Sequence, residues 1–414
     1  MNRKKLVVVN TFYQLVVRFS SGIFTLITTI YVARYAGIAL LAQYSTVIAF
    51  VVIFVALSDL GINTRTLKFF DTEAKLKENF KKLLGLRILI SLISLIGGLI
   101  LLVIIGYPKD LNVPIIFGLI AVLINAFLKS FTLIFQVKSD YSNFAKISFI
   151  VYLVALAYLG VSSINSVLSI FELVALYLAV QLMIAAGLSY VYRGYLILKG
   201  KTFDFAFSKA ILSDIWVFAV IMLVNLLMLN LDRLLLAKLS DDANVSVYNT
   251  SYRIFEFALI IPTYIMNTYF PLLVLEKEST YQSRLAGTVK SIRYLLVISI
   301  FVMAFLLGIS YFIPFIWGVE LSQGIYALQM LAIGIPFFYI TSPLNWFYAT
   351  EKRYRIMLFA YFAALIINIL GNISYIDSLG YVSLILFKIF SEIMVLIIFL
   401  YPLLSRTYMT KNAI

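Results

Sequence analysis

The feature that most constrains this chain is a run of about twenty apolar residues that recurs from one end to the other. A helix needs about 20 such residues to cross ~30 Å of hydrocarbon. Twelve runs qualify, over residues 9–33, 39–60, 83–106, 113–136, 145–163, 167–191, 213–238, 244–273, 290–316, 323–349, 356–375 and 380–402. The 414 residues are 63% hydrophobic and 13% charged, against about 45–50% and 25% in a soluble chain. An all-α polytopic membrane protein with about 12 transmembrane helices is therefore expected. Met1 to Lys5 and the apolar run behind them look superficially like a signal peptide. The run lacks a small-residue cleavage site and is broken by Arg18, so it reads as a mature helix.

Missing residue types exclude much chemistry. There is no histidine and no cysteine, so His-based acid–base catalysis, thiol nucleophiles, disulfides and the usual soft metal sites are out. No catalytic residue, metal site or cofactor is expected. The net charge of +14 does not point to nucleic acid, because the basic residues lie in short loops between apolar runs. Loops on one side hold 24 of the 33 basic residues, from Arg3 and the Arg65–Lys82 segment to Lys352, Arg353 and Arg406. The other side holds Lys109 and Lys238, with Arg34 at a helix end. Cytoplasmic loops carry such an excess, so both termini are expected in the cytoplasm.

The longest polar connection, residues 193–212, falls at the chain's midpoint and mixes lysines with Phe203, Phe205 and Phe207. It reads equally as a segment in the membrane interface or as an ordinary loop. It divides the chain into an N-terminal bundle (1–192) and a C-terminal bundle (213–414), six helices each. An offset of 204 residues pairs Ala33 with Ala237, Ala39 with Ala243, Tyr44 with Tyr248, Thr46 with Thr250 and Asn63-Thr64 with Asn267-Thr268. An even helix count per half makes such a repeat parallel, a plan transporters use. Pro262, Pro271, Pro314, Pro336 and Pro343 fall inside spans of the second half, where they are expected to kink helices.

Charges inside spans cost about 2.5–3.5 kcal/mol each at mid-membrane on insertion scales, so they mark candidate function. Arg18 lies thirteen residues beyond Lys5, about 20 Å along a helix, too deep for easy snorkelling. It has no acid three or four residues away and reads as facing an internal cavity. Lys129 reads equally as cavity-facing or as snorkelling toward Lys138. Asp59, in Asp59-Leu60-Gly61, is either functional or an interfacial cap. Arg253 with Glu256, and Lys388 with Glu392, each share a helix face, as self-neutralised pairs or as site residues. Asp232 and Arg233 are near the outer end of their span, where water is within reach. The span residues Asn125, Gln181, Asn225, Asn230, Asn345 and Asn368 read first as interhelical hydrogen-bond partners. With Tyr248, Tyr252 and Tyr348 they could also line a wet passage.

The fragment Asn230-Leu231-Asp232-Arg233-Leu234-Leu235, leading into Val247-Tyr248-Asn249-Thr250-Ser251-Tyr252-Arg253-Ile254-Phe255-Glu256, resembles the polysaccharide-transport flippases (Wzx-type O-antigen and capsule flippases) of the MOP exporter superfamily. Tyr44 with Asp59-Leu60-Gly61 looks like the family's counterpart in the second helix, and Pro262 and Pro271 resemble its proline-containing eighth helix. The family's usual Gly before the helix-eight Tyr is replaced here by Ser246 or Val247. The resemblance implies two pseudo-symmetric six-helix bundles around a cavity of alternating access in the bacterial cytoplasmic (inner) membrane. It implies an oligosaccharide on undecaprenyl diphosphate as substrate, with membrane lipids, a polysaccharide polymerase and chain-length machinery as partners. Coupling to an H+ or Na+ gradient or to the membrane potential stays open. Cations suit such a substrate, because Arg binds phosphate bidentately; Arg18, Arg253, Lys129 and Lys388 are the candidates, and Asp59, Asp232, Glu256 and Glu392 are candidate coupling or structural acids.

Two rival readings differ in class. A cation-coupled multidrug or small-solute antiporter of the same superfamily fits the same fold, although its sites usually depend on buried acids. A membrane glycosyltransferase or polymerase would want a large outer loop or an acidic pair there, and the outer loops hold only Pro108-Lys109-Asp110 and Ser240-Asp241-Asp242. The charge bias makes a direct prediction. Reporter fusions at Gly200 and Thr280 should report a cytoplasmic location and those at Asp241 and Asp377 an external one; the reverse pattern overturns the orientation.

Overall fold

The computed structural model describes residues 3–59, 61–63, 66, 70, 72–138, 140–165, 167–197, 202–275 and 280–405. Among them there are long helices and no strand, as a hydrocarbon solvent requires when each backbone N–H and C=O must be satisfied within its own segment. The helices are α1 (Arg3–Tyr31), α2 (Gly37–Leu57), α3 (Glu73–Ile105), α4 (Lys109–Gly118 continued by Ile120–Lys138), α5 (Ser142–Asn165) and α6 (Ile170–Val191). They continue as α7 (Phe205–Leu239), α8 (Asp242–Leu275), α9 (Tyr281–Ser310), α10 (Gly324–Thr350), α11 (Tyr354–Leu379) and α12 (Tyr381–Leu404). Among the described residues there are twelve long helices, the fold of a polytopic membrane protein.

The chain forms two compact units, Met1–Leu223 and Val224–Ile414, with the division inside α7. In the first, α1 passes into α2 through a π-helical turn, Val32–Ala36, that carries the exposed Arg34. Helix ends follow local chemistry. The Thr72 side chain accepts from the Lys75 N–H to start α3, and Gly106, at φ 63°, closes it in a left-handed conformation that side-chain-bearing residues avoid. Ser169 and Glu172 form a reciprocal capping box at the start of α6. Helices α3, α7 and α9 begin eight to ten residues before the apolar runs that predict them, which start at 83, 213 and 290. Charged helix formers continue the helix beyond the lipid, and hydropathy does not register them.

Two expectations change. Pro314 opens a one-turn helix, Ile313–Trp317, rather than sitting inside a span. Pro402, near the end of α12, joins Pro336 and Pro343 of α10 as an in-helix proline. Expectations resting on Leu60, Thr64, Arg65, Lys68, Lys199, Gly200, Lys277, Arg406 and Lys411 lie outside the described residues, as do the side chains of Arg3, Asn267, Thr268 and Pro271.

Within the first unit, the segment entering α7 is fastened to α3. A Cβ on Gly85 would stand 1.7 Å from the Thr202 carbonyl oxygen, so only glycine permits this approach. Lys82 Nζ lies 3.5 Å from Asp204, and the Phe70 and Phe207 rings stack at 6.2 Å. The Phe207 N–H, donating to Asp204 at 3.0 Å, together with Lys82 holds the Asp204 carboxyl below its ordinary range. A depressed carboxylate leaves this docking intact above the free pKa of about 3.9 and weakens it only as pH falls through the lower folded value. Gly85→Ala should therefore speed tryptic cleavage at Lys199 or Lys201, by the same factor across the neutral pH range. Unchanged cleavage would show that the contact does not hold the segment.

Candidate functional site

Each unit buries a charged centre where helices meet. In the first unit the turn after α2 presents Asp59. Arg87 of α3, with a fully buried side chain, places Nη1 2.8 Å from Asp59 Oδ1 and donates from Nη2 to Asn63 Oδ1. Lys129 of α4 places Nζ 3.3 Å from Asp59 Oδ2, with 41% of its side chain exposed. Asn63 donates to the Lys129 carbonyl at 3.2 Å, and Asn125 donates to Val55 O and Ser58 Oγ, each at 2.9 Å. Two cations and one carboxylate leave a surplus positive charge, on the side where Lys129 reaches the surface. Asp59 is thus the hub of an ion-pair cluster and not a helix cap, and Lys129 is paired rather than merely snorkelling.

Arg87 is absent from the sequence-derived candidates because it lies four residues inside the run starting at 83, where a cation reads as interfacial. The missed signal is the cap at Thr72. Counted from the true start of α3 at Glu73, Arg87 is about 21 Å along the helix.

The second unit joins α7, α8 and α12. Lys388 Nζ lies 2.7 Å from Asp232 Oδ2, with the two side chains 3% and 0% exposed. Tyr248 of α8 donates to the same oxygen at 2.8 Å, and the Arg233 N–H donates to Oδ1 at 2.8 Å. Tyr252 offers its ring to Lys388 Nζ at 4.6 Å and to the Arg233 guanidinium at 4.9 Å, a desolvated cation–π arrangement. Arg233 also donates to Asn230.

This corrects two expectations. Lys388 does not neutralise Glu392 one turn along its own helix; it reaches across to Asp232, where a buried carboxylate gives it a charge-assisted hydrogen bond. Asp232 and Arg233 are not near water, because α8 and α12 cover that part of α7.

Beside this centre lies a cavity of about 220 Å³. Lys388, Glu392, Asn225, Asn345, Asn368 and Tyr361 face it. Glu392 accepts from Thr341. Asn345 Oδ1 and Asn368 Nδ2 have no protein partner among the described residues. The cavity is a polar chamber with one carboxylate and one already compensated ammonium.

The remaining candidates stand apart from these centres. Arg253 Nη1 is 3.8 Å from Glu256, with side chains 18% and 46% exposed. Arg18 is exposed in the middle of α1 and makes no ion pair among the described residues. No group of three or more potential metal ligands occurs among the described residues.

These features can be set beside known proteins. The family described as polysaccharide biosynthesis protein matches residues 7–275. Among curated protein sequences none matches this chain. Among solved structures, the lipid II flippase MurJ in an inward closed conformation aligns with a TM-score of 0.73 at 14% identity, covering 95% of this chain and 88% of that one. An inward-facing multidrug resistance MATE transporter of the MOP superfamily aligns at 0.62 and 14% identity, covering 94% and 96%. A eukaryotic MATE transporter gives 0.62 at 13%, covering 98% and 96%. The fold is that of these transporters.

The two centres predict an ordering of stabilities. Arg87→Met and Lys388→Met each break a buried pair and should cost about 3 kcal/mol or more. Lys129→Met removes a half-exposed partner and should cost under about 1 kcal/mol. Thermal unfolding in detergent checks this, and a Lys129 variant as damaging as the Arg87 variant would refute it.

Proposed function

The chain belongs to the polysaccharide biosynthesis protein family, and from that premise we propose that it is a flippase. Its substrate is an oligosaccharide on a polyprenyl diphosphate, an O-antigen or capsule repeat unit, moved across the bacterial cytoplasmic membrane by alternating access. Both termini are cytoplasmic in this reading. A polymerase and chain-length machinery would take the product on the far side, and an ion gradient or the membrane potential would drive the cycle. Membership of the polysaccharide family favours this reading over a multidrug antiporter, and the surplus of cations supports it.

The observation that carries it is Arg18. An exposed guanidinium in mid-helix is costly against lipid, and no acid among the described residues compensates it. An anionic diphosphate or acidic sugar does so, with two parallel hydrogen bonds. Arg253, Lys129 and Lys388 are weaker candidates, since each is already paired. Glu392, facing the polar chamber beside Lys388, is the acid best placed to take up a coupling proton.

Two measurements test the proposal. Surface polysaccharide in a flippase-deficient strain should fall by about thirtyfold or more with Arg18→Ala, the ~2 kcal/mol or more lost on truncating one partner of a desolvated charge pair. Arg18→Lys should retain part of the activity, and both variants should accumulate normally. Full complementation by Arg18→Ala sinks the role of Arg18. Alternating access is tested on the chain's cysteine-free background. Cysteine pairs placed across the bundles at one membrane face should cross-link in one transport state only; cross-linking at both faces with transport retained counts against it.

A further inference from the structure

The polar chamber of the second unit holds a carboxylate without a cation of its own. The chamber is lined by the exposed Thr263 of α8 at its mouth and, deeper, by Asn368 of α11 and Glu392 of α12, 0% and 7% exposed. Lys388 stands one turn before Glu392 but is turned to Asp232 at 2.7 Å and to the Met228 carbonyl at 3.3 Å. Glu392 accepts from the Thr341 hydroxyl and makes no ion pair among the described residues. Two amide groups are unspent as well. Asn345 Oδ1 and Asn368 Nδ2 have no protein partner among the described residues. Asn372 donates to Asn368 Oδ1 at 3.3 Å, which leaves the amide N–H groups of Asn368 as the end in want of an acceptor.

The occupant that completes this site brings a positive charge with N–H donors for Glu392 and Asn345, and an acceptor for Asn368. A bare metal ion has no acceptor to offer, whereas an ammonium group with a hydroxyl beside it supplies both. Its bond to a buried carboxylate is charge-assisted, about twice as strong as a neutral one. At about 220 Å³ the chamber is smaller than the ~300–1,000 Å³ pockets of drug-sized ligands, so it suits a single ring. Phe338 and Tyr361 line it too, as aromatic walls do in pockets for small molecules. We propose that this chamber binds an amino sugar with a free ammonium group, and that Glu392 is the acid that selects it. The proposal rests on the flippase reading and deepens it, giving the sugar head of the substrate an unacetylated amine. Ordered water satisfies the two amides but leaves the charge of Glu392 uncompensated. An ammonium group and a coupling proton are then alternative partners of one carboxylate.

The test uses the full-length protein in nanodiscs. The probes are the methyl glycosides of glucosamine and galactosamine, their N-acetyl derivatives, and those of glucose and galactose. Saturation-transfer NMR should detect binding of an amine glycoside and of none of the neutral ones. Equal signals from amine and neutral glycosides, or no signal from either amine, overturn the site. That comparison needs no variant. Glu392→Gln keeps an acceptor for Thr341 and should weaken binding by about thirtyfold or more. Asn368→Leu removes one neutral donor and should weaken it about fivefold. Glu320→Gln, at an exposed acid outside the chamber, should leave binding unchanged; an equal loss there means that surface charge holds the amine, and overturns the site. Displacement by sodium chloride, but not by choline chloride at the same ionic strength, shows a metal-ion site and also overturns it. Complementation of a flippase-deficient strain separates the two readings. Amine binding by a protein that restores no surface polysaccharide upholds the chamber and overturns the flippase, while complementation without amine binding overturns the chamber alone.

Discussion

A carboxylate buried among membrane helices must find cations, and in this protein that constraint decides which helices are neighbours. Apolar side chains cannot make that choice, because lipid tails satisfy them as well as another helix does. Asp59 holds Arg87 of α3 and Lys129 of α4. Asp232 of α7 holds Lys388 of α12 and the Tyr248 hydroxyl of α8. Each carboxylate therefore gathers three elements, one of them distant in sequence from the other two. Removing one partner would leave a desolvated charge, and that penalty is larger than the net value of the intact pair. The glue is specific because its failure is expensive.

The two centres differ in what they leave over. Around Asp232 the charges close on themselves: Lys388 pairs with Asp232, whose other oxygen accepts from the Arg233 N–H, and the Tyr252 ring covers both cations. Around Asp59 one positive charge remains, and it sits on Lys129, whose side chain is the exposed member. A balanced, fully covered centre suits a hinge or a scaffold. An unbalanced centre with an exposed ammonium attracts anions.

The architecture was legible in the sequence and the wiring was not. The number of long helices among the described residues follows from apolar length alone. Where helices begin was misread at α3, α7 and α9, because charged helix formers extend a helix into water unseen by hydropathy. That error hid Arg87, whose depth is evident only from Glu73. Pairing failed for a different reason. Lys388 and Glu392 are four residues apart, a strong local signal, yet Asp232 lies 156 positions away from Lys388 and no periodicity connects them. The shared helix face of Arg253 and Glu256 did translate into contact, at 3.8 Å.

Depth and exposure together decide whether a charged residue serves structure or ligand. Arg87 and Lys388 are each enclosed and aimed at a carboxylate, so their charge is consumed within the fold. Arg18 is exposed and lacks such an acid, so its compensation has to come from outside the described protein. Arg253 is intermediate: partly enclosed, it meets the more exposed Glu256 of its own helix at 3.8 Å, so its charge too is shared within the fold.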